Sequence, residues 1–183
     1  MKGLFVTGTD TEIGKTYVST GMVRTLVERG YKVAGMKPVG TGGKTGVNLG
    51  RIVNDDVEAL MTASNSRLLR DDINQYSYLP ATSPHIAASE ANDFIDLNKI
   101  CATYRKIEDL SDYVVVEGVG GWLVPLNETE TVENLALALG LPPTPARARR
   151  RPRRPRARPS KAAKTAMGGL RCPMRSLYTR ANP

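Results

Sequence analysis

The chain has 183 residues, with 26 lysines and arginines, 18 aspartates and glutamates, and a formal net charge of +8. This length predicts one domain with room for a tail, and no apolar run approaches the ~18 residues that a membrane span requires. Met1-Lys2 leads into an apolar run without a signal-peptide pattern, and Cys101 and Cys172 have no metal-ligand spacing. We therefore expect a cytoplasmic protein.

Apolar periodicity predicts strands and helices that alternate along most of the chain. The predicted strands are 4–7, 32–36 and 113–116, and the predicted helices are 16–29, 55–61, 84–91, 96–110 and 132–139. Between them we expect a long polar loop over 40–54 and an irregular extended stretch over 74–84. This alternation predicts an α/β fold with a mostly parallel sheet flanked by helices. Ligands of such sheets bind at the carboxyl ends of the strands.

The positive charge belongs to one end of the chain. Residues 1–141 hold 13 Lys+Arg and 18 Asp+Glu, a net charge of −5, whereas residues 142–183 hold 13 Lys+Arg and no acid, a net charge of +13. Eight of the 12 prolines also lie in the second segment. Because proline lacks a strand donor and arginine resists burial, we expect no strand after Leu141. The sequence thus predicts an α/β domain over residues 1–141 and a disordered, basic, Pro/Arg-rich tail over residues 142–183.

A glycine-rich loop, Gly8-Thr9-Asp10-Thr11-Glu12-Ile13-Gly14-Lys15-Thr16, joins the first strand to the first helix. This layout is typical of a phosphate-binding loop, whose backbone N–H groups cradle phosphate oxygens. In such loops the lysine, here Lys15, reaches the terminal phosphates, and the hydroxyl of Thr16 contacts Mg²⁺. Five residues separate Gly8 from Gly14, one more than the usual pattern has. The context still predicts binding of a nucleoside triphosphate.

Oxygen ligands for Mg²⁺ are predicted at the same edge of the sheet. Glu117 ends a buried strand, and Asp56 lies at the start of a helix. Mg²⁺ takes a few hard oxygen ligands, which Thr16, Asp56 and Glu117 supply. Spacing alone leaves Asp55 as an alternative to Asp56, and either aspartate has helix capping as a second role.

Lys37, which directly precedes Pro38, is the second candidate cation. A lysine at a strand end is often only a solvated terminus, but the neighbouring phosphate loop favours a functional role. With Lys15 it would neutralise charge as a phosphoryl group moves. The single histidine, His85, is expected to pack locally at a helix start. No Ser-His-Asp or Cys-His arrangement predicts covalent catalysis.

Taken together, these motifs resemble the dethiobiotin synthetase family. They are the loop from Gly8 to Thr16, Lys37-Pro38-Val39, Thr82-Ser83-Pro84-His85 and Glu117-Gly118-Val119-Gly120-Gly121-Trp122. The resemblance runs from Lys2 to Leu141, and the five-residue spacer is that family's own form. It implies a P-loop NTPase-like fold and an enzyme of biotin biosynthesis. The implied reaction is ATP- and Mg²⁺-dependent carboxylation and ring closure of 7,8-diaminononanoate with CO₂, giving dethiobiotin, ADP and phosphate.

The resemblance also implies a role for each matched residue. Lys37 and Lys15 would be catalytic, with Lys37 holding the carbamate and the γ-phosphate. Thr11 and Thr41 would contact the diamine or its carbamate. The nucleotide would be lined by Glu12, Ile13, Gly14, Lys15, Thr16, Tyr17, Asp56, Glu117, Gly118, Val119 and Gly120. Mg²⁺ would be held by Thr16, Asp56 and Glu117. The family is a homodimer, so a homodimer is expected here.

The resemblance stops after Leu141, where the family continues with further apolar strands and the loop that holds adenine. This predicts a sheet truncated at its C-terminal strands and weak or absent turnover. A shifted reading frame in a GC-rich gene is one hypothesis for the basic tail, which would bind nucleic acid only non-specifically. Two alternatives stay open. One is another phosphate-loop ATPase, related to partitioning and cobyric-acid enzymes, and the other is an inactive nucleotide-binding remnant.

Overall fold

The computed structural model describes residues 2–46 and 50–146. The strands are β1 (Gly3–Thr7), β2 (Val33–Met36), β3 (Val39–Gly40), β4 (Lys44–Thr45), β5 (Ile52–Val53), β6 (Tyr76–Ser77), β7 (Tyr113–Glu117) and β8 (Pro143–Pro145). The helices are α1 (Lys15–Glu28), α2 (Asp55–Ala63), α3 (Arg70–Ile73), α4 (Pro84–Glu90), α5 (Leu97–Asp109) and α6 (Val132–Ala138). Over these ranges no helix has the length and apolarity needed to cross a membrane. The disorder predicted for the tail beyond residue 146 lies outside the described residues.

The central sheet is parallel, in the order β2-β7-β1-β8. The strand β7 lies between β1 and β2, so the chain makes one crossover from β1 to β2 and a second from β2 to β7. Because β1, β2 and β7 are parallel, their carboxyl ends meet at one edge of the sheet. The register places Glu117 opposite Val6 and Met36 opposite Val116. The predicted α/β class, with a mostly parallel sheet flanked by helices, is confirmed.

Both faces of the sheet are buried, which explains why its strands read as continuous apolar runs. Successive residues of β7 point to opposite faces. Val114 and Val116 pack in the core beneath α5, whereas Val115 packs with Val23 of α1 and Leu60 of α2. Burial on two sides therefore fixes β7 in the middle of the fold, with its last residue at the ligand-binding edge.

The segments between the main elements contain more structure than the sequence predicts. Each predicted strand and helix lies within two residues of its observed bounds. The expected polar loop over 40–54, however, contains the antiparallel pair β4 and β5, and the stretch over 74–84 contains β6, which pairs with β3. The helix α3 has no predicted counterpart. These elements have only two to four residues, too few to show a periodicity.

The expectation that no strand forms after Leu141 is wrong for Pro143–Pro145. This segment forms β8, which pairs with β1 at the edge of the sheet. The residues beside the two prolines contribute hydrogen bonds: Phe5 N donates to Pro142 O at 3.1 Å, and Ala146 N donates to Thr7 O at 2.8 Å. An edge strand tolerates proline because one side of its backbone needs no partner strand.

Candidate active site

The glycine-rich loop between β1 and α1 is tightly folded on itself. A Cβ added to Gly8 would lie 1.9 Å from Ile13 Cδ1, so any larger residue at position 8 would force the Ile13 side chain to move. Gly14 precedes α1 with φ 91°, and Glu12 has φ 58°, a left-handed conformation that costs a non-glycine residue about 1–2 kcal/mol. The loop thereby presents the N-terminus of α1, with its unpaired backbone N–H groups, to the space above the sheet.

A cleft of about 320 Å³ opens at this edge of the sheet. Its lining consists of Thr11, Glu12, Gly14, Lys15, Thr16, Lys37, Thr41, Asp56, Glu117, Val119 and Gly120. All of these belong to the site predicted from the sequence. Three further predicted residues do not line it: Ile13 packs over Gly8, Tyr17 is 85% exposed, and Gly118 is buried against Phe5. Nucleotide contacts by these three stay predictions.

A buried charged cluster forms the floor of the cleft. Lys37 Nζ lies 2.8 Å from Glu117 Oε1 and 3.0 Å from Asp56 Oδ2. Thr16 Oγ1 lies 2.7 Å from Asp56 Oδ1 and 2.9 Å from Glu117 Oε1. The Lys37 and Glu117 side chains are almost fully buried, at 4% and 0% exposure, whereas the Asp56 side chain is 40% exposed. Elements far apart in the sequence thus deliver one ammonium, one hydroxyl and two carboxylates to one point.

Electrostatics favour the charged forms of Lys37 and Asp56. Burial of Lys37 disfavours its charged form, but the ion pairs with Glu117 and Asp56 outweigh this and raise its pKa above the usual value. Asp56 behaves in the same way: burial opposes its charge, yet Lys37 and the hydrogen bond from Thr16 hold its pKa below the usual value. Lys15 differs because burial, reinforced by the Lys37 charge, lowers its pKa. Its Nζ donates to Asp10 O at 2.7 Å.

The structure distinguishes the two aspartates at the start of α2. Asp56 points into the cleft, whereas Asp55 Oδ2 pairs with the exposed Lys44 Nζ at 2.8 Å. Consecutive helical residues project about 100° apart, so only one of them can face the sheet edge. This geometry places Asp56, and not Asp55, beside Thr16 and Glu117.

The oxygen atoms of this cluster suit Mg²⁺. Among the described residues, no group of three or more His, Cys, Asp or Glu side chains is placed to hold a metal ion. The buried cluster instead offers two carboxylates, from Asp56 and Glu117, and the hydroxyl of Thr16, and no described residue hydrogen-bonds to the buried Glu117 Oε2. Mg²⁺ typically takes one or two carboxylates and completes its octahedron with water and phosphate oxygens. Thr16, Asp56 and Glu117 therefore fit the role that the sequence predicts for them.

Two buried asparagines that the sequence reading passed over hold the site in place. Asn54 caps α2 by accepting from Asp56 N at 3.0 Å, and its Nδ2 donates to Thr41 O at 3.2 Å. Asn74 Nδ2 donates to Lys37 O at 2.8 Å. An asparagine just before an Asp-Asp helix start is a known N-cap signal, so Asn54 was detectable. The role of Asn74 depends on tertiary contacts that no local pattern reveals.

Replacing Asn54 by alanine is expected to lower the free energy of unfolding by about 1–2 kcal/mol, because the N-cap of α2 is lost. Urea unfolding measures this change. Asn98→Ala is the matched control, since Asn98 is exposed on α5, and it should stay within about 0.5 kcal/mol of the parent chain. Equal stability of the two variants would show that the Asn54 cap contributes nothing.

The contribution of Asp56 to the free energy of unfolding is expected to be constant over a broad pH range and to change only outside that range. Its folded pKa lies below the ordinary aspartate value of 3.8, so its contribution is present above about pH 4 and is lost as the pH falls through the folded pKa. The folded pKa of Lys37 lies above the ordinary lysine value of 10.5, so its contribution persists to that value and is lost at higher pH. The stability difference between the parent chain and Asp56→Asn, from urea unfolding, should be constant between about pH 5 and 9. A difference that changed within this range would contradict the assigned ion pair.

Fold and cleft together define a protein of the phosphate-loop α/β class. A family model described as "AAA domain" matches residues 2–143, and the chain belongs to this family. An ATP-dependent dethiobiotin synthetase BioD from Nitrosospira multiformis is 44% identical over 140 residues, which cover 76% of this chain and 59% of that protein. The protein of the same name from Yersinia pestis bv. Antiqua is 37% identical over 130 residues, covering 71% of this chain and 53% of that protein. The matches confirm the resemblance to dethiobiotin synthetases, and the chain spans between about half and three-fifths of their length.

Proposed function

We propose that this chain acts in dethiobiotin synthesis, by ATP- and Mg²⁺-dependent carboxylation and ring closure of 7,8-diaminononanoate with CO₂. Because the chain spans only part of the relatives it matches, the activity, the two substrates and a homodimer are all parts of this proposal. The name of these relatives gives ATP dependence and dethiobiotin synthesis, and the family resemblance of the sequence motifs implies the two substrates. The cleft supplies residues suited to both.

The observation that carries the proposal is the buried Lys37 ammonium beside the phosphate loop. Its Nζ lies 2.8 Å from Glu117 Oε1 at the point where three parallel strands end. A cation held in a poorly solvated site stabilises negative charge far better than one in water, as transfer of a phosphoryl group requires. Among the described residues that line the cleft, none is cysteine, serine or histidine. The proposed mechanism uses no protein nucleophile and relies on the cations and oxygen ligands of this lining.

The proposed reaction has three steps. One amine of the substrate attacks CO₂ and loses a proton, which gives a carbamate. A carbamate oxygen attacks the γ-phosphorus of ATP, the bond to the bridging oxygen breaks, and ADP leaves. The second amine attacks the carbamoyl carbon and loses a proton, phosphate departs, and a cyclic urea closes. In the first two steps Lys37 is placed to bind the carbamate and the γ-phosphate, and Lys15 to bind the phosphates.

The remaining residues of the cleft hold the reactants. Thr16, Asp56 and Glu117 would hold Mg²⁺, which when bound neutralises charge on the phosphate oxygens and aligns them. Thr11 and Thr41 line the same cleft and are proposed to contact the diamine or its carbamate. Since no covalent intermediate with the protein forms, the rate would depend on how well these groups position the reactants.

Diamine-dependent phosphate release tests this proposal. With MgATP, bicarbonate and the protein in excess over 7,8-diaminononanoate, one equivalent of phosphate per diamine is expected even where turnover is slow. Nonanoate, which lacks both amines, is the matched control and should release none. Phosphate release that is independent of the diamine would overturn the proposal and favour another phosphate-loop ATPase.

A further inference from the structure

We propose that Lys37 determines when the metal can bind. Its ammonium group stays paired with Asp56 and Glu117 until a nucleotide phosphate gives it another partner. A divalent cation then binds together with the nucleotide and not before it. This inference rests on the proposed nucleotide and Mg²⁺ site and adds an order of binding to it.

The first argument is that the two cations would share the same oxygen ligands. Lys37 Nζ lies 2.8 Å from Glu117 Oε1 and 3.0 Å from Asp56 Oδ2, and these two carboxylates are the ones that the proposed Mg²⁺ site uses. A divalent ion on those oxygens would lie close to the ammonium group. Repulsion between them would be strong because the lysine is buried and poorly screened.

The second argument comes from the oxygens that stay free. Asp56 Oδ1 is engaged by Thr16, Asp56 Oδ2 by Lys37, and Glu117 Oε1 by both. The buried Glu117 Oε2 has no hydrogen-bond partner within the described part of the chain. One free carboxylate oxygen is a poor site for Mg²⁺, which needs several hard ligands around it. Without nucleotide, the two carboxylates therefore pair with the Lys37 ammonium, and Glu117 Oε2 is left for a metal ion.

The third argument is that hydrogen bonds hold the backbone of Lys37, so that its side chain is the part that can exchange partners when a phosphate binds. Its backbone N donates to Ile73 O at 2.9 Å, and its carbonyl accepts from Asn74 Nδ2 at 2.8 Å. The side chain itself lines the cleft, where phosphate oxygens would offer new acceptors. Lys15 is not an equivalent group, since its Nζ bonds the loop carbonyl of Asp10 at 2.7 Å and no carboxylate. The exchange of partners is thus assigned to Lys37 alone.

The test uses Mn²⁺ as the probe and measures its binding to the full chain from the electron paramagnetic resonance signal of free Mn²⁺. In the absence of nucleotide, Lys37→Met is expected to bind Mn²⁺ at least about tenfold more tightly than the parent chain, since a neighbouring positive charge is removed. A non-hydrolysable ATP analogue should then tighten Mn²⁺ binding much more in the parent chain than in the variant.

Three variants make the comparison specific. Lys37→Arg keeps the charge and should behave like the parent chain, and Lys44→Met removes an exposed lysine and should change nothing. Lys15→Met removes a charge from the same cleft without freeing a carboxylate, so its effect should be clearly smaller. Adding Glu117→Gln to Lys37→Met should abolish the gain. If Lys37→Met does not fold by circular dichroism, Lys37→Gln provides a second neutral side chain.

Equal nucleotide-free affinities of the parent chain and Lys37→Met would overturn the inference. So would an equal gain in Lys15→Met, because the effect would then be one of general charge. A different result would refute the proposed function, namely that the ATP analogue binds neither the parent chain nor any variant. The nucleotide-free comparison remains valid in that event.

Discussion

Glu117→Gln is expected to destabilise the protein by about 3 kcal/mol, the largest effect on stability that this site predicts. Glu117 and Lys37 are both buried, and the substitution leaves the ammonium with Asp56 as its sole carboxylate partner within the described residues. The buried Lys37 charge is then compensated only by Asp56, whose side chain is partly exposed and therefore a weaker partner. Urea unfolding measures the loss.

An exposed pair gives the matched control for this prediction. Asp55→Asn removes the partner of Lys44, whose pair is about three-quarters exposed, at 74% and 77% for the two side chains. Such pairs contribute little, so a change below about 0.5 kcal/mol is expected. The double variant Lys37→Met with Glu117→Gln should lose less free energy of unfolding than the sum of the two single-variant losses, since it removes both charges. A Glu117→Gln protein as stable as Asp55→Asn would refute the buried pair.

Lys37→Met is expected to lower the rate of dethiobiotin formation by about 10²–10³-fold, the loss that follows when one group is removed that stabilises transition-state charge. ATP affinity should change far less, because the loop from Gly8 to Thr16 and Lys15 remain. Single-turnover product formation measures the rate, and fluorescence of a labelled ATP measures the affinity.

Lys44→Met is the control for this second prediction, because it removes a lysine whose side chain is 74% exposed and outside the cleft lining. Its rate should match that of the parent chain. Retained turnover in Lys37→Met, with its fold verified by circular dichroism, would remove Lys37 from the catalytic role.

Much of the site could be predicted because the sheet is parallel. Residues that follow buried strands must meet at one edge, so the loop after β1, Lys37 after β2 and Glu117 at the end of β7 could be grouped from the sequence. The structure brings them together as the topology requires. The buried pairing of Lys37 with Glu117 adds what topology alone did not provide, namely which groups touch.

Other features depend on contacts that sequence patterns do not encode. Asp55 and Asp56 are chemically identical neighbours, and only the orientation of α2 against the sheet separates them. The hydrogen bond from Asn74 Nδ2 to Lys37 O joins residues 37 positions apart. The strand β8 forms despite two prolines because it pairs with the edge of β1 that lies opposite β7. In each case a tertiary partner, and not local propensity, decides the outcome.

One isotope measurement tests the central claim most directly. The purified chain, in excess over 7,8-diaminononanoate, is incubated with MgATP and ¹³C-bicarbonate, and the product is analysed by mass spectrometry. The account predicts dethiobiotin that carries one ¹³C atom in its ureido carbonyl, formed only when ATP is present and greatly reduced in Lys37→Met. Absence of labelled dethiobiotin while the chain still binds ATP would contradict it and leave a nucleotide-binding protein of another function.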